Sequence, residues 1–194
     1  HLVQHSPQLL QLGHHVRHEL LTAKTGFHGH HQNHVDLVQE GLHSGSRSLG
    51  LHHHTGLDDI RGIIGRLDLP EAVKAHATAV YDLIAQAESE VHGTAVEQIH
   101  FHEVGSLDAV ADVTGVCLLM DMLRPDRVIV SPVHVGFGQV RCAHGVLPVP
   151  APATALLLEG VPVYGGAIRG ELCTPTGAAL LVHFASDFGD MPAM

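Results

Sequence analysis

The strongest constraint on the fold is a pair of apolar stripes at helical spacing between residues 55 and 93. Apolar residues recur every three or four positions, first over residues 57–67 and again over residues 73–91. This spacing is typical of helices that bury one face. The expected buried positions are Leu57, Ile60, Ile63, Ile64 and Leu67 in the first helix and Val73, Ala77, Val80, Ile84, Ala87 and Val91 in the second.

The residues that flank the two stripes predict where each helix begins and ends. Thr55 and Asp58 have the spacing of a capping box, in which a hydroxyl and an acidic side chain satisfy free backbone N–H groups. Asp68 is the expected N-cap of the second helix, with Pro70 in its first turn. Gly93 follows the second stripe and favours the left-handed conformation that ends a helix. Two helices joined by a short turn form a helical hairpin.

Shorter strands and helices are expected to alternate after this hairpin. Gly105 and Ser106 predict a turn that caps a helix, and Gly136-Phe137-Gly138 predicts a second turn. The fold class is α/β or α+β: a helical hairpin followed by alternating strands and helices around one mixed sheet. The expected strands are residues 96–104, 128–130, 140–142 and 161–164, and the expected helices are residues 107–123, 152–159 and 176–186.

Composition and charge exclude several classes of protein. The 194 residues, enough for one domain, include 10 Lys and Arg against 20 Asp and Glu, a net charge of −10 with histidine neutral. No basic stripe is present, so a nucleic-acid partner is not expected. The longest uncharged apolar stretch in an expected helix, residues 113–120, is too short to span a membrane. Three cysteines without a paired spacing favour a reducing cytoplasm.

Histidine is unevenly distributed and divides the chain near residue 50. Of the 20 histidines, 13 lie in residues 1–54, and residues 1–50 show little periodicity. Three interpretations of this His-rich segment stay open: a flexible polar tail, a tract that collects nickel, zinc or copper, or a segment foreign to the domain expected over residues 51–194. Because the chain begins with His, we expect a fragment or a processed product.

The densest group of possible metal ligands is His100, His102 and Glu103. On a strand His100 and His102 point to the same side, with Glu103 at the strand end. Asp108 and Asp112 follow, one turn apart on the next expected helix. Two imidazoles with nearby carboxylates are good ligands for first-row metals. The alternative is that the histidines are hydrogen-bonded strand residues and that the aspartates are solvated.

Cys142 and His144 form a second group. A thiolate and an imidazole two residues apart suit nickel, zinc or copper better than magnesium. The same pair is also a candidate nucleophile and base, with Arg141 beside the thiol, although two strand neighbours seldom align with a third group. A buried thiol and a surface histidine are an equally simple interpretation.

Thr174, Thr176 and Gly177 form a third group, at the expected start of a helix. Hydroxyls and a glycine at such a position can donate hydrogen bonds to an anion such as a phosphate. The simpler interpretation is an ordinary N-cap by Thr174 or Thr176. Known nucleotide loops are not found, because Gly136-Phe137-Gly138 is not followed by the third glycine of the dinucleotide motif and no glycine–lysine phosphate loop is present.

Four segments, taken in order along the chain, resemble one protein family, the nickel insertion proteins that complete the nickel-pincer nucleotide cofactor. The similarity runs from about residue 51 to the end of the chain, and His52, His53 and His54 also resemble that family's His-rich stretch. The segments are His100-Phe101-His102-Glu103-Val104-Gly105, Cys142-Ala143-His144-Gly145, Pro148-Val149-Pro150-Ala151-Pro152-Ala153-Thr154, and Leu172 to Gly177 with its Thr-Pro-Thr-Gly.

The resemblance implies an enzyme, a lyase-type nickel chelatase that inserts nickel into pyridinium-3,5-bisthiocarboxylic acid mononucleotide. The family reaction is a cyclometallation in which CTP is hydrolysed to CMP and pyrophosphate, and its product serves lactate racemase-type enzymes. Nickel is then the substrate metal. Under this hypothesis one set of residues holds nickel, a second accepts the proton lost from the aromatic carbon, and a third binds the nucleotide. The set that holds nickel is His100, His102, Cys142 and His144. The proton acceptor is Glu103 or Asp108, and the set that binds the nucleotide is Thr174, Thr176 and Gly177.

Two parts of the family pattern are not found in this sequence. The family's early glycine-rich strand and turn are not recognisable in residues 1–50, and the carboxy-terminal half, which resembles the part that binds CTP with a divalent cation, is absent. We therefore expect the chain to be inactive alone or to need a separately encoded carboxy-terminal half. Alternatives from other classes are a nickel-binding carrier or storage protein without chemistry, and a subunit whose histidines are incidental.

Overall fold

In the computed structural model, which describes residues 55–101, 104–142 and 145–192, one long helix is the centre of the packing. This helix, α2, contacts four other helices, and its fully buried small residues, such as Ala77 and Ala85, allow their backbones to come close. The helices are α1 (Leu57–Arg66), α2 (Glu71–His92), α3 (Leu107–Leu123), α4 (Pro152–Leu157) and α5 (Pro175–Phe184).

The apolar stripes of α1 and α2 are buried as predicted, with two exceptions. Ile60, Val80 and Ile84 are completely inaccessible to solvent. Ile63 is only half-buried, and Val91, in the last turn of α2, is 37% exposed and lines a cavity. The predicted end of α2 is confirmed: Gly93 has φ +62° and ψ +31°, and its N–H group bonds to the helix.

Both predicted N-caps of the hairpin are wrong by one or two residues. Thr55 is extended, because it pairs with Phe101 in a small sheet, and α1 begins after Gly56, whose N–H donates to the Asp59 carboxylate at 3.0 Å. Asp68 is exposed and precedes the start of α2 by more than one residue. Pro70 is the N-cap, and its carbonyl accepts the first helical hydrogen bond, from Lys74.

The mixed α/β class is confirmed, but the described strands form four small sheets instead of one mixed sheet. Pro132 and Pro162 immediately precede two of the shortest strands, and a proline has no N–H group with which to extend a ladder. Strand β1 (Thr55–Gly56) is antiparallel to β2 (His100–Phe101), β3 (Ile129–Val130) is parallel to β9 (Asp187–Phe188), β4 (Val133–His134) is parallel to β7 (Val163–Tyr164), and β5 (Gly136–Cys142) is antiparallel to both β6 (Gly145–Val149) and β8 (Gly170–Glu171).

Two predicted backbone conformations differ from the structure. In the described part of the strand expected over residues 96–104, Val96–Gln98 forms a short 3₁₀ helix, and the strand β2 begins only at His100. The turn expected at Gly136-Phe137-Gly138 is instead the start of β5. Gly136 has φ +82°, and a side chain there would overlap the carbonyl of Gly170. This glycine allows β5 and β8 to approach each other.

The later helices largely follow the predictions. Ser106 caps α3, its hydroxyl accepting the N–H of Ala109 at 3.2 Å, whereas Leu123 at the other end of the helix is 69% exposed. Helix α4 is two residues shorter than expected, and α5 begins one residue earlier. In the part of the chain that the structure describes, no helix combines the length and the apolar character needed to cross a membrane.

Candidate functional site

A cavity of about 780 Å³ lies where the carboxyl end of α2, strand β2, the start of α3, the β5–β6 hairpin and the start of α5 meet. Much of its wall is apolar, as is usual for small-molecule sites, with polar groups placed at a few points. Six described side chains in the lining can bind a metal ion or exchange a proton: Glu88, His92, His100, Asp112, Cys142 and Glu171.

The structure brings His100 and Cys142, which are 42 positions apart in the sequence, to the same cavity. His100 is exposed on the short strand β2, and Cys142 is half-buried as the last residue of β5. Both are members of the predicted nickel-binding set. The other two members, His102 and His144, and the predicted base Glu103 lie outside the described residues.

The carboxylate of α3 that lines the cavity is Asp112, whereas the sequence hypothesis assigned a role to Asp108. Asp108 lies in the first turn of α3, is exposed, and is not part of the cavity wall. Ala109 and Asp112 belong to the wall, so the cavity meets α3 one turn further along. Asp112 therefore lines the cavity, whereas the role predicted for Asp108 stays a prediction.

A buried tyrosine supports the chain segment between β2 and α3. The Tyr81 hydroxyl, on α2, donates to the carbonyl of Val104 at 3.0 Å, and its ring packs edge-on against Phe101. Burial raises the pKa of Tyr81 well above its usual value, and the negative charge of Asp112 raises it further. Tyr81 is therefore a neutral donor that holds the cavity wall beside Asp112.

The turn at Gly105 also depends on close packing at this wall. A Cβ atom at Gly105 would lie 2.8 Å from the Cβ of Phe101 and 3.0 Å from its carbonyl oxygen. Only glycine fits there without displacing β2. The predicted turn is thus confirmed, and the need for glycine comes from its neighbours, since Gly105 is not a residue with positive φ.

Two acidic residues and a histidine of the cavity had no role in the sequence hypothesis. Glu88 and His92 are one turn apart on α2, with Oε2 and Nε2 3.3 Å apart. Their i, i+4 spacing was a visible signal for a pair, but nothing local indicated that the pair faces a cavity. Glu171 lies on β8, beside the predicted anion site, and reaches the same cavity.

Cys173 is buried behind Glu171 and is not part of the cavity lining. Burial raises the pKa of its thiol, and the charge of Glu171 adds to the effect. A metal binds the thiolate form, so this cysteine is a poor ligand. Cys173 is therefore a small buried residue of the core.

Thr174, Thr176 and Gly177 all line the cavity at the start of α5. The hydroxyl of Thr174 accepts the N–H of Gly177 at 3.2 Å, which is the N-cap that the simpler interpretation predicted. A cap and an anion site are compatible, because a helix start has several free N–H groups. Nucleotide binding at these residues remains a prediction.

Over residues 55–101, 104–142 and 145–192, no three His, Cys, Asp or Glu side chains are grouped closely enough to hold a metal ion. The described lining thus contains possible ligands without a complete coordination sphere. The predicted set of four is not tested by this observation, since two of its members lie outside these ranges.

Comparisons of the sequence with known proteins point to one family. A sequence profile described as "Nickel insertion protein" matches residues 6–194, so the match begins well before residue 51, where the sequence resemblance was expected to start. It covers most of the His-rich segment. No solved structure matches the chain.

Curated relatives carry the name pyridinium-3,5-bisthiocarboxylic acid mononucleotide nickel insertion protein. One from Desulfitobacterium hafniense (strain DSM 10664 / DCB-2) is 49% identical over 73% of this chain and 35% of its own length. One from Nocardioides sp. is 52% identical over 73% of this chain and 36% of its own. One from Geobacillus kaustophilus is 40% identical over 81% of this chain and 38% of its own.

The chain therefore spans between a third and two-fifths of the length of these relatives. The profile nevertheless covers nearly all of the chain, and the identities exceed what a shared fold alone would require. On this evidence the chain belongs to the nickel insertion protein family.

Proposed function

We propose that this chain binds nickel and its nucleotide acceptor during insertion of nickel into pyridinium-3,5-bisthiocarboxylic acid mononucleotide. The observation that carries the proposal is the meeting of His100, Cys142 and the start of α5 at one cavity. The names of the curated relatives indicate the acceptor. The cavity volume, about 780 Å³, lies within the range of small-molecule sites.

Nickel is the substrate metal in this proposal, and two of its proposed ligands, His100 and Cys142, lie on strands β2 and β5. His100, His102, Cys142 and His144 supply imidazole nitrogen and thiolate sulfur, which suit nickel better than they suit magnesium or calcium. His92 and Glu171 line the same cavity and extend the choice of ligands. The site must release nickel to the acceptor. Protein ligands that leave the metal one at a time can be replaced, one at a time, by the sulfur and carbon atoms of the acceptor.

A base is needed because a nickel–carbon bond replaces an aromatic carbon–hydrogen bond. The carbon keeps its bonding electron pair, which it shares with nickel, and the proton passes to a base. Of the carboxylates first considered, Glu103 stays a candidate, and Asp112 replaces Asp108 because it faces the cavity. Burial and the negative charge of Asp112 raise the pKa of Tyr81, so the Tyr81 hydroxyl stays neutral.

The acceptor is a mononucleotide, and we assign its phosphate to the start of α5. The first backbone N–H groups of a helix and the positive end of its dipole favour an anion. Thr174, Thr176 and Gly177 form this end of the helix in the cavity wall. The aromatic ring of the acceptor would then lie over the apolar wall, toward His100 and Cys142.

The finer parts of the proposal rest on the family resemblance. The first is a lyase-type reaction. The second is coupling of this reaction to hydrolysis of CTP to CMP and pyrophosphate with a divalent cation. The third is a carboxy-terminal half that supplies the CTP site. A reducing cytoplasm suits the three cysteines, all of which are free thiols.

The test combines the full chain with the carboxy-terminal half of a curated relative, nickel, the nucleotide precursor and CTP. We expect a product whose mass shows added nickel and one lost aromatic proton. His100→Ala and Cys142→Ser should each lower its yield. Glu97→Ala and Gln139→Ala are the matched controls, because they are exposed neighbours that lie outside the cavity wall.

Two results would count against the proposal. Nickel binding without product under these conditions would identify a carrier or storage protein instead. A yield that is unchanged by both cavity substitutions would show that the histidine and the thiol are incidental to the reaction.

A further inference from the structure

A pair of histidines lies apart from the cavity, where α2 packs against α5. Nδ1 of His76 and Nε2 of His183 are 2.9 Å apart, although the two residues are 107 positions apart in the sequence. Neither residue lines the cavity. His76 is exposed and His183 is half-buried, and the ring of Phe184 packs against both imidazoles.

The contact requires at least one neutral imidazole. A hydrogen bond between two ring nitrogens needs an N–H on one ring and a lone pair on the other, and a doubly protonated pair has no acceptor. Burial lowers the pKa of His183, and the neighbouring His76 lowers it further. Neutral imidazole is also the form that binds transition metals, and the hydrogen bond requires at least one ring of the pair in that form.

The distance between the two nitrogens suits a right-angle coordination geometry. With metal–nitrogen bonds of about 2.1 Å, two ligand nitrogens lie about 3.0 Å apart at a right angle and about 3.4 Å apart in a tetrahedron. The observed 2.9 Å is the separation of a hydrogen-bonded pair, and it is close to the right-angle value, so both nitrogens could bind one ion at nearly their present separation. Right-angle, tetragonal arrangements of nitrogen and oxygen ligands are typical of nickel(II) and copper(II).

We propose that His76 and His183 form a second, two-imidazole site that binds a divalent cation of the nickel and copper class on the outer surface. The exposed ring of His76 admits the ion from solvent with a modest side-chain rotation, and water fills the remaining coordination positions. The bound ion would connect α2 to α5. This site is independent of the chemistry assigned to the cavity.

The experiment uses the full chain with copper(II) alone as a paramagnetic probe, added to saturation so that histidines elsewhere are also filled. We expect the backbone amide signals of Ala77, Val182 and Phe184 to broaden beyond detection in nuclear magnetic resonance spectra. His76→Gln and His183→Gln should each restore these signals. His92→Gln is the matched control, because it removes an imidazole from the same helix without changing the pair.

Two results would overturn the site: no broadening of these amides at saturation, or equal broadening in the wild type and His76→Gln. His76 is exposed, so its substitution should leave the fold intact, and the spectrum without metal verifies this. Failure of this site would leave the nickel-insertion assay unaffected, since that assay depends on His100 and Cys142.

Discussion

At the scale of single residues, the cavity wall depends on side chains that do not themselves reach the cavity. Tyr81 is completely buried, and its hydroxyl is the donor that satisfies the Val104 carbonyl. Tyr81 is not among the buried positions that the apolar spacing predicts for α2. Its hydrogen-bond partner, 23 positions away, gives no signal in the local sequence.

Replacing Tyr81 with Phe should destabilise the protein without changing its packing. The Val104 carbonyl loses its donor, which costs about 1–2 kcal/mol when the group stays partly buried. Urea unfolding followed by circular dichroism measures the difference. Tyr164→Phe is the control. Because Tyr164 is half exposed, this substitution should lower the free energy of unfolding far less. Equal losses in the two variants would contradict the assigned hydrogen bond.

The three cysteines should react with thiol reagents at very different rates. Burial raises the pKa of Cys117 to about 12 and also raises that of Cys173, so both are protonated and shielded near pH 8. Cys142 is only half-buried at the cavity. We expect one fast-reacting thiol in the native protein, lost in Cys142→Ser, and slowed by nickel in the wild type. Rapid labelling of Cys117 in the folded chain would contradict this.

At the scale of elements, the turn between β2 and α3 is held by steric contact. Gly105→Ala would push a methyl group against Phe101, and overpacking of this kind costs about 1–3 kcal/mol. Gly65→Ala is the contrasting control. Gly65 lies on α1 with open space around its missing side chain, so alanine there should stabilise the helix by up to about 1 kcal/mol. Thermal unfolding should show a lower melting temperature for Gly105→Ala and a higher one for Gly65→Ala than for the wild type.

Elements also show where local patterns predict well and where they do not. The starts of α3 and α5 agree with Ser106 and Thr174 as caps, because capping depends on residues only three positions apart. Thr55 fails as a cap because it pairs instead with Phe101, 46 positions away. The predicted strand over residues 96–104 fails at its start, where Val96–Gln98 forms a 3₁₀ helix.

At the scale of the whole molecule, α2 packs against four other helices, so a substitution in its buried face should destabilise the whole described fold. Ile84 is completely buried in this helix, and Ile84→Ala should cost about 2–5 kcal/mol through lost burial and the cavity left behind. Gln86→Ala, an exposed change on the same helix, is the control. Calorimetry should show one transition at a lower temperature. A separate early transition for part of the structure would argue against α2 as the common core.

The sequence by itself determined the helices, their buried faces, the stop at Gly93 and the family, because each depends on residues that are close together or on short segments kept in order. The tertiary structure decided which side chains share the cavity. Asp112 lines the cavity and Asp108 does not. Glu88, His92 and Glu171 line it together with His100 and Cys142. His76 contacts His183 outside the cavity. These are contacts between distant parts of the chain, which are determined by how whole helices and strands pack, and local periodicity carries no information about that packing.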